Sequence, residues 1–157
     1  MTICFLVRSA EDGTKLVCLA EKRRGFRQGK LNGYGGKLEE GETIEACALR
    51  ETTDESGISP LQIRKVGEVY FHDPDLIHEC HVFVCEQWEG EPVDTDEMVL
   101  PHWYRLEEIP FERMGQADPL WIPRVLNGER IRAKFYFDED NRMFNPTVQL
   151  ITSEEAF

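Results

Sequence analysis

Apolar residues recur along this chain in short runs that alternate with polar turn segments. Runs rich in Val, Ile, Leu and Phe predict β-strands, because branched and aromatic side chains pack well on a pleated surface. The predicted strands are Ile3–Arg8, Leu16–Lys22, Arg64–His72, Ile77–Trp88, His102–Leu106, Ile131–Phe137 and Met143–Ile151. The last two form a hairpin, and so do the third and fourth, which are joined by a turn around Pro74.

Two further segments have the spacing of helices. The first is predicted over Thr43–Ser56 and ends at Gly57, since glycine easily takes the left-handed conformation that terminates helices. The second begins with Asp118 as its cap and ends before Gly128. Strands dominate, and no linker or internal repeat interrupts them. We therefore expect a single α/β (α+β) domain over residues 1–157, a mixed sheet between two helices.

The first helix carries acids where its apolar face should continue. On a wheel of about 100° per residue, the stripe begins with Ile44, Cys47 and Ala48 and continues with Glu51 and Glu55, with Asp54 at its edge. Like charges at this spacing repel, and an unpaired buried carboxylate is costly, so a cation is expected among them. Mg²⁺ prefers such oxygen ligands. The plainer interpretation is a solvent-exposed acidic helix, in a chain with 30 Asp and Glu residues.

Composition and charge narrow the class of protein. The chain of 157 residues is 41% hydrophobic and 31% charged, as in globular proteins. Its net charge of −12 argues against a binder of long nucleic acid, and no apolar run approaches the ~20 residues of a membrane span. The five cysteines include no CxxC pair, so we expect core residues in a reducing cytoplasm and no zinc site.

One segment departs from this acidic balance. Residues 22–30, KRRGFRQGK, carry five positive charges and no negative one. Close to a carboxylate–metal site, such a segment could hold a polyphosphate. A solvent-exposed loop tip is the alternative.

The spacing of residues around the first helix resembles the signature of the Nudix hydrolases, G-x5-E-x7-R-E-U-x-E-E-x-G-U, where U is aliphatic. The matching residues are Gly36, Glu42, Arg50, Glu51, Glu55, Gly57 and Ile58. Two positions depart from the pattern. Thr52 stands where an aliphatic residue is usual, and Asp54 replaces the first Glu of the final pair.

Most of the chain, from about Thr2 to Leu150, is similar to the MutT-type enzymes that hydrolyse oxidised purine nucleoside triphosphates. The similar stretches include KRRGF, LNGYGGK and DEM. The resemblance implies hydrolysis of the triphosphate to a monophosphate and pyrophosphate, with Mg²⁺ as cofactor and Mn²⁺ as a possible substitute. It also implies the metal ligands, which would be Glu51, Asp54, Glu55, Glu97 and the carbonyl of Gly35. One of these acids, or a metal-bound hydroxide, would activate water.

The same resemblance assigns roles to residues outside the metal site. Arg50 would pair with Glu42 or Asp54 and orient the loop, and Lys22 would contact phosphate. The positions that match the base site are Thr2, Phe26, Asn32, Phe71, Met114 and Trp121. Phe71 and Trp121 could equally be core residues.

The entrance to the second helix departs from the family pattern. The family has a tryptophan and two adjacent aspartates where this chain has Gly115, Ala117 and Asp118. Asp118 could read a purine edge or only cap the helix. The missing ring and carboxylate predict weaker selectivity for oxidised purines.

Two alternatives stay open at this point. The chain could be a Nudix hydrolase of another nucleoside diphosphate derivative, such as an ordinary dNTP, a nucleotide sugar or a dinucleotide, or a non-catalytic nucleotide-binding module. The expected partner is a nucleoside triphosphate, without long nucleic acid or membrane, and the expected state is a monomer or small homo-oligomer.

Overall fold

The computed structural model describes residues 1–25 and 27–157, so Phe26, one of the predicted base-site residues, lies outside the described part of the chain. No helix in the described ranges combines the length and the apolar character needed to cross a membrane.

The described residues form one mixed sheet of eight strands. The strands are β1 Thr2–Ser9, β2 Lys15–Lys22, β3 Leu31–Asn32, β4 Ser59–His72, β5 Ile77–Glu89, β6 Met98–Arg105, β7 Ile131–Phe137 and β8 Met143–Leu150. Their order is β3-β2-β1-β5-β4-β7-β8, with β6 also paired to β2. The pairs β1–β5 and β4–β7 are parallel, and the other pairs are antiparallel.

Two α-helices, α1 (Ile44–Ser56) and α2 (Asp118–Leu126), cover opposite faces of this sheet. Strand β1 shows the division, because alternate side chains of a strand point to opposite faces. Cys4 and Leu6 belong to the buried cluster that includes Ala48 of α1. Phe5 belongs to the larger cluster that includes Trp121 of α2. The predicted fold, a mixed sheet between two helices, is confirmed.

The cysteines lie in the core, as the sequence predicts. All five are buried and unpaired by disulfides in the described structure. They fill core positions as small apolar residues.

Several strand boundaries differ from the prediction. β4 begins at Ser59 rather than Arg64, because its first residues pair with the end of β5, Ser59 opposite Glu89. β6 covers Met98–Arg105 rather than His102–Leu106, since Met98 pairs with Lys22 of β2. Short β3 was not predicted. In each case, pairing with a distant strand extends the element beyond its local apolar pattern.

The ends of α1 are capped as the sequence predicts, whereas the start of α2 differs from the prediction. The Thr43 side chain accepts the Ala46 N–H at 3.1 Å, and Gly57 ends α1 with φ of 81°. The prediction that Asp118 caps α2 is wrong, because Ala117 already has helical angles and holds the cap position. The Asp118 carboxylate turns back instead and accepts the Gly115 N–H at 2.7 Å.

Candidate active site

The acids of α1 differ sharply in exposure. Glu55 is only 7% exposed, whereas the Glu51 side chain is 19% exposed and that of Asp54 65% exposed. Glu55 continues the buried stripe of Cys47 and Ala48, as the helical period requires. The helix therefore buries Glu55, leaves Glu51 mostly covered and leaves Asp54 in solvent.

The loop that precedes α1 lies directly on these carboxylates. A Cβ atom at Gly36 would lie 2.6 Å from Cδ of Glu51, and one at Gly35 would lie 1.9 Å from the carbonyl oxygen of Thr2. A side chain at position 35 would clash with the backbone of β1, so only glycine fits there, whereas a side chain at position 36 would displace the Glu51 carboxylate. The Gly35 N–H donates to Oε2 of Glu55 at 3.4 Å. Gly35, whose carbonyl is a predicted metal ligand, therefore lies in a loop that is hydrogen-bonded to Glu55.

Arg50 joins the loop to the helix. Its Nε and Nη2 atoms donate to the two carboxylate oxygens of Glu42 at 2.7 and 2.8 Å, and its Nη1 donates to Oε1 of Glu51 at 2.7 Å. Nη2 also reaches the Lys37 carbonyl at 3.3 Å, while Asp54 is 4.0 Å from Nη1. The hydrogen bonds from Arg50 lower the pKa of Glu42 to about 2. Arg50 therefore fixes the loop relative to Glu51, and of its two predicted partners it pairs with Glu42.

Glu55 is held in an environment unfavourable to its negative charge. Burial raises the pKa of Glu55 to about 7, and the nearby charges of Glu51 and Glu97 add to this rise. The Gly35 N–H and the positive charge of Lys22 act in the opposite direction. A divalent cation would supply the compensating charge, and carboxylates are the ligands that hard cations prefer. The donor set therefore fits a divalent metal.

Glu97 lies just before β6, and its carboxylate forms an ion pair with Arg24 of the basic segment, residues 22–30. Nη2 of Arg24 lies 2.6 Å from Oε1 of Glu97, and the Arg23 N–H donates to the Glu97 carbonyl at 2.9 Å. The basic segment is thereby anchored beside the acids of α1. No local sequence pattern signals this pairing, because 73 positions separate Arg24 from Glu97.

Three potential metal ligands also lie close together outside the predicted site. Among the residues that the structure describes, the potential ligand atoms of Glu68, Glu79 and His81 lie within 4.8 Å of one another. Arg132 and Tyr70 donate to the Glu68 carboxylate at 3.1 and 3.0 Å. Because Glu68 is already satisfied by a cation and a hydroxyl, this group on β4 and β5 is a poor site for a metal.

The predicted base-site residues divide between the two faces of the sheet. Met114 and Trp121 are buried in the α2-side cluster, 4% and 2% exposed, with Phe71 packed against it. Trp121 is tilted against Phe5 at 6.0 Å and donates from Nε1 to Asp118 at 3.2 Å. Trp121 is therefore a core residue that supports Asp118 rather than an open stacking surface.

The remaining base-site residues are held by local contacts. The Thr2 hydroxyl lies 3.4 Å from Sγ of Cys47, on the α1 side. Asn32 accepts the N–H of Gly33 at 2.9 Å through its side-chain oxygen. Residues 31–36 include Asn32 of β3, which pairs with Ala20 of β2, and the Gly35-Gly36 corner, which is hydrogen-bonded to Glu55 of α1.

Residues 2–125 match the NUDIX domain family, and the chain belongs to this family of hydrolases, whose members generally use a divalent metal. Among its relatives is the oxidized purine nucleoside triphosphate hydrolase of Danio rerio, 41% identical over 124 residues, which are 77% of this chain and 78% of that protein. The protein of the same description from Mus musculus is 36% identical over 140 residues, 87% of this chain and 88% of that protein. A solved structure of MutT from Bacillus halodurans is similar with a TM-score of 0.75 and 25% identity, covering 94% of this chain and 95% of that one.

Proposed function

We propose that this protein hydrolyses oxidised purine nucleoside triphosphates to the monophosphate and pyrophosphate, with Mg²⁺ as its cofactor, and so removes damaged nucleotides. The observation that supports the chemistry is the buried Glu55 carboxylate beside Glu51 and Glu97, under a glycine loop braced by Arg50. The substrate class is supported by the relatives at 36–41% identity over most of the chain.

The proposed metal ligands are Glu51, Asp54, Glu55 and Glu97, with the carbonyl of Gly35. Bound there, Mg²⁺, or Mn²⁺ in its place, would neutralise the acids and lower the pKa of a coordinated water. Arg50 keeps Glu51 oriented through its two-point pair with Glu42. Lys22, whose charge already acts on Glu55, would hold the phosphates.

The base would lie at the α2 end of the site. Asp118 is buried and held by the Gly115 N–H and the Trp121 ring, so its carboxylate is oriented before substrate arrives. Oriented polar groups discriminate between bases, because a mismatched base leaves them unpaired. We propose Asn32 and Phe71 as further contacts of the base. Ala117 lacks a second carboxylate, which should weaken the discrimination by about 1–3 kcal/mol.

A substrate panel tests this proposal against both alternatives. It compares 8-oxo-dGTP and 8-oxo-dATP with dGTP, dATP, ADP-ribose and a dinucleoside polyphosphate, in Mg²⁺, and separates released phosphate from pyrophosphate. We expect kcat/KM to be higher for each oxidised purine than for its unoxidised counterpart, and the product to be pyrophosphate. A preference for ADP-ribose or the dinucleotide would make the protein a different Nudix hydrolase. Binding without turnover of any of them would make it a binding module.

A further inference from the structure

The space above Gly115 is occupied by a side chain from the basic segment. A Cβ atom at Gly115 would lie 2.7 Å from Nη1 of Arg27 and 2.9 Å from Oδ2 of Asp118. The Arg27 guanidinium and the Asp118 carboxylate therefore border the same space over Gly115, close enough for the charge of Arg27 to act on Asp118. They fill the space that a larger residue at position 115 would take.

The backbone of Arg27 is unusual for an arginine. Its φ angle is +64°, in the left-handed region that glycine adopts easily and a residue with a Cβ atom adopts only at a cost in free energy. Such a conformation persists only where the surrounding structure holds it, and it is often found at ligand sites. Here it places a guanidinium from the segment between β2 and β3 beside Gly115, just before α2.

The two groups over Gly115 have opposite hydrogen-bonding character. A guanidinium carries five N–H donors and no acceptor, whereas an ionised carboxylate only accepts. Asp118 is 4% exposed, and its two carboxylate oxygens are fixed in place as acceptors of the Gly115 N–H and the Trp121 Nε1–H. Burial raises the pKa of Asp118, whereas these two N–H groups and the positive charge of Arg27 lower it and so favour the ionised form. A fixed donor beside a fixed acceptor is complementary to a ring edge on which a carbonyl oxygen stands next to an N–H group.

We propose that Arg27 is a specificity-determining residue, whose guanidinium together with Asp118 selects purines that present a carbonyl next to an N–H over purines that present an amino group next to a bare ring nitrogen. The inference rests on the proposed function and names the edge that the site reads. The 6-oxo group and N1–H of guanine or hypoxanthine have this order. Adenine reverses it, so in the same ring orientation its amino group would face donors and its N1 would face the carboxylate.

The matched substrates for the test are dITP and dATP, because their bases share one ring system and differ at position 6 and at the protonation of N1. We expect wild-type kcat/KM to favour dITP by at least about tenfold, the factor set by about 1.4 kcal/mol from one charged hydrogen bond. Arg27→Gly removes the guanidinium and accepts the positive φ without strain. It should lower the dITP to dATP ratio several-fold, toward the part of the preference that Asp118 alone supports.

Two further variants separate base reading from charge. Arg27→Lys keeps a donor-only cation and should retain part of the preference. Arg23→Ala removes one charge from an exposed position in the same segment and should leave the ratio unchanged, whatever it does to KM. A guanidinium that only neutralises Asp118 would make Arg27→Gly lower kcat/KM for both substrates by one factor, and that result would overturn the proposal.

Failure of this inference can be told apart from failure of the proposed function. Turnover of purine triphosphates by the wild-type protein without a preference between dITP and dATP refutes the role of Arg27 and leaves the hydrolase function intact. Absence of turnover on any purine triphosphate refutes the proposed function itself, and the Arg27 assignment falls with it.

Discussion

At the scale of single residues, His81 on β5 shows what burial does to a titratable group. Its Nε2 atom lies 3.0 Å from Oε1 of Glu79, while Nδ1 is buried and has no hydrogen-bond partner among the described residues. Burial lowers the pKa of His81 below its ordinary 6.5, and the positive charges of Lys65 and the N-terminus act in the same direction. Glu79 and Glu68 oppose this. Burial therefore favours the neutral ring, and the geometry favours the form in which Nε2–H faces Glu79 and Nδ1 has no donor to accept from.

The consequence is a loss of stability in mild acid. Because the pKa of His81 is lower in the folded than in the unfolded state, protons bind more readily to the unfolded chain. The contribution of His81 is fully present above about pH 6.5 and is lost as the pH falls below it. We expect the unfolding temperature of the wild-type protein to fall more steeply than that of His81→Gln between about pH 8 and about pH 5.5.

A second histidine provides the comparison for this experiment. His102 lies exposed on β6, where folding removes little water from its ring. His102→Gln should therefore reproduce the wild-type pH slope. Equal slopes for the wild type and His81→Gln would contradict the assignment of a neutral, buried His81.

At the scale of elements, α1 packs on the sheet through one face and buries the carboxylate of an acidic residue in its last turn. Its first turns pack on the sheet through Cys47 and Ala48, and its last turn buries Glu55 beside the Gly35-Gly36 corner. The capping contacts at Thr43 and Gly57 hold both ends of the helix. Good packing and good caps thus stabilise a helix that places a carboxylate where its charge is unfavourable.

Glu55→Gln tests this trade-off. Turnover should be almost abolished, because the neutral amide weakens the proposed metal site. Without metal at pH 8, the variant should unfold at a higher temperature than the wild type. The rise in the pKa of Glu55 from 4.5 to about 7 corresponds to a destabilisation of the wild type of the order of 3 kcal/mol at pH 8, which the substitution relieves. Added Mg²⁺ should then raise the unfolding temperature of the wild type more than that of Glu55→Gln.

The matched control is Glu45→Gln, which removes one charge from the exposed first turn of the same helix. An acid there interacts favourably with the helix dipole, so its removal should cost a few tenths of a kcal/mol and leave turnover unchanged. Near-normal turnover of Glu55→Gln at saturating Mg²⁺ would remove Glu55 from the metal site.

At the scale of the whole molecule, charge is distributed unevenly. The net charge is −12, yet residues 22–30 carry five positive charges. Arg24 anchors this segment to Glu97 at the acidic end of the site, and Arg27 lies beside Gly115, near Asp118, at the other end. The net negative charge of the molecule repels a triphosphate, whereas the positive charges of this segment attract it locally.

Lys22→Ala should therefore raise KM for triphosphates, and the wild-type KM should rise between about 50 and about 300 mM salt as the attraction is screened. Lys15→Ala serves as the control, because it removes the same charge from the opposite end of β2. KM values that ignore both the Lys22 substitution and ionic strength would show that the segment is only a solvent-exposed loop.

What the sequence determined by itself is everything that depends on near neighbours along the chain. The helical period placed Glu51 and Glu55 on the face of Cys47, and the structure has the same arrangement. The apolar runs located seven of the strands to within a few residues. The spacing between Gly36 and Gly57 identified the family, because the loop and helix that it encodes form one continuous unit.

What only the tertiary structure decided depends on residues far apart in sequence. Glu55 acquires its raised pKa from burial under a loop 20 positions away and from Glu97 beyond β5. The boundaries of β4 and β6 follow from the strands that pair with them. Arg27 reads in the sequence as one more charge in a basic run, and only the folding of that loop over Gly115 brings it to Asp118. Local periodicity specifies which face a side chain occupies, whereas the groups that meet on that face are set by long-range packing.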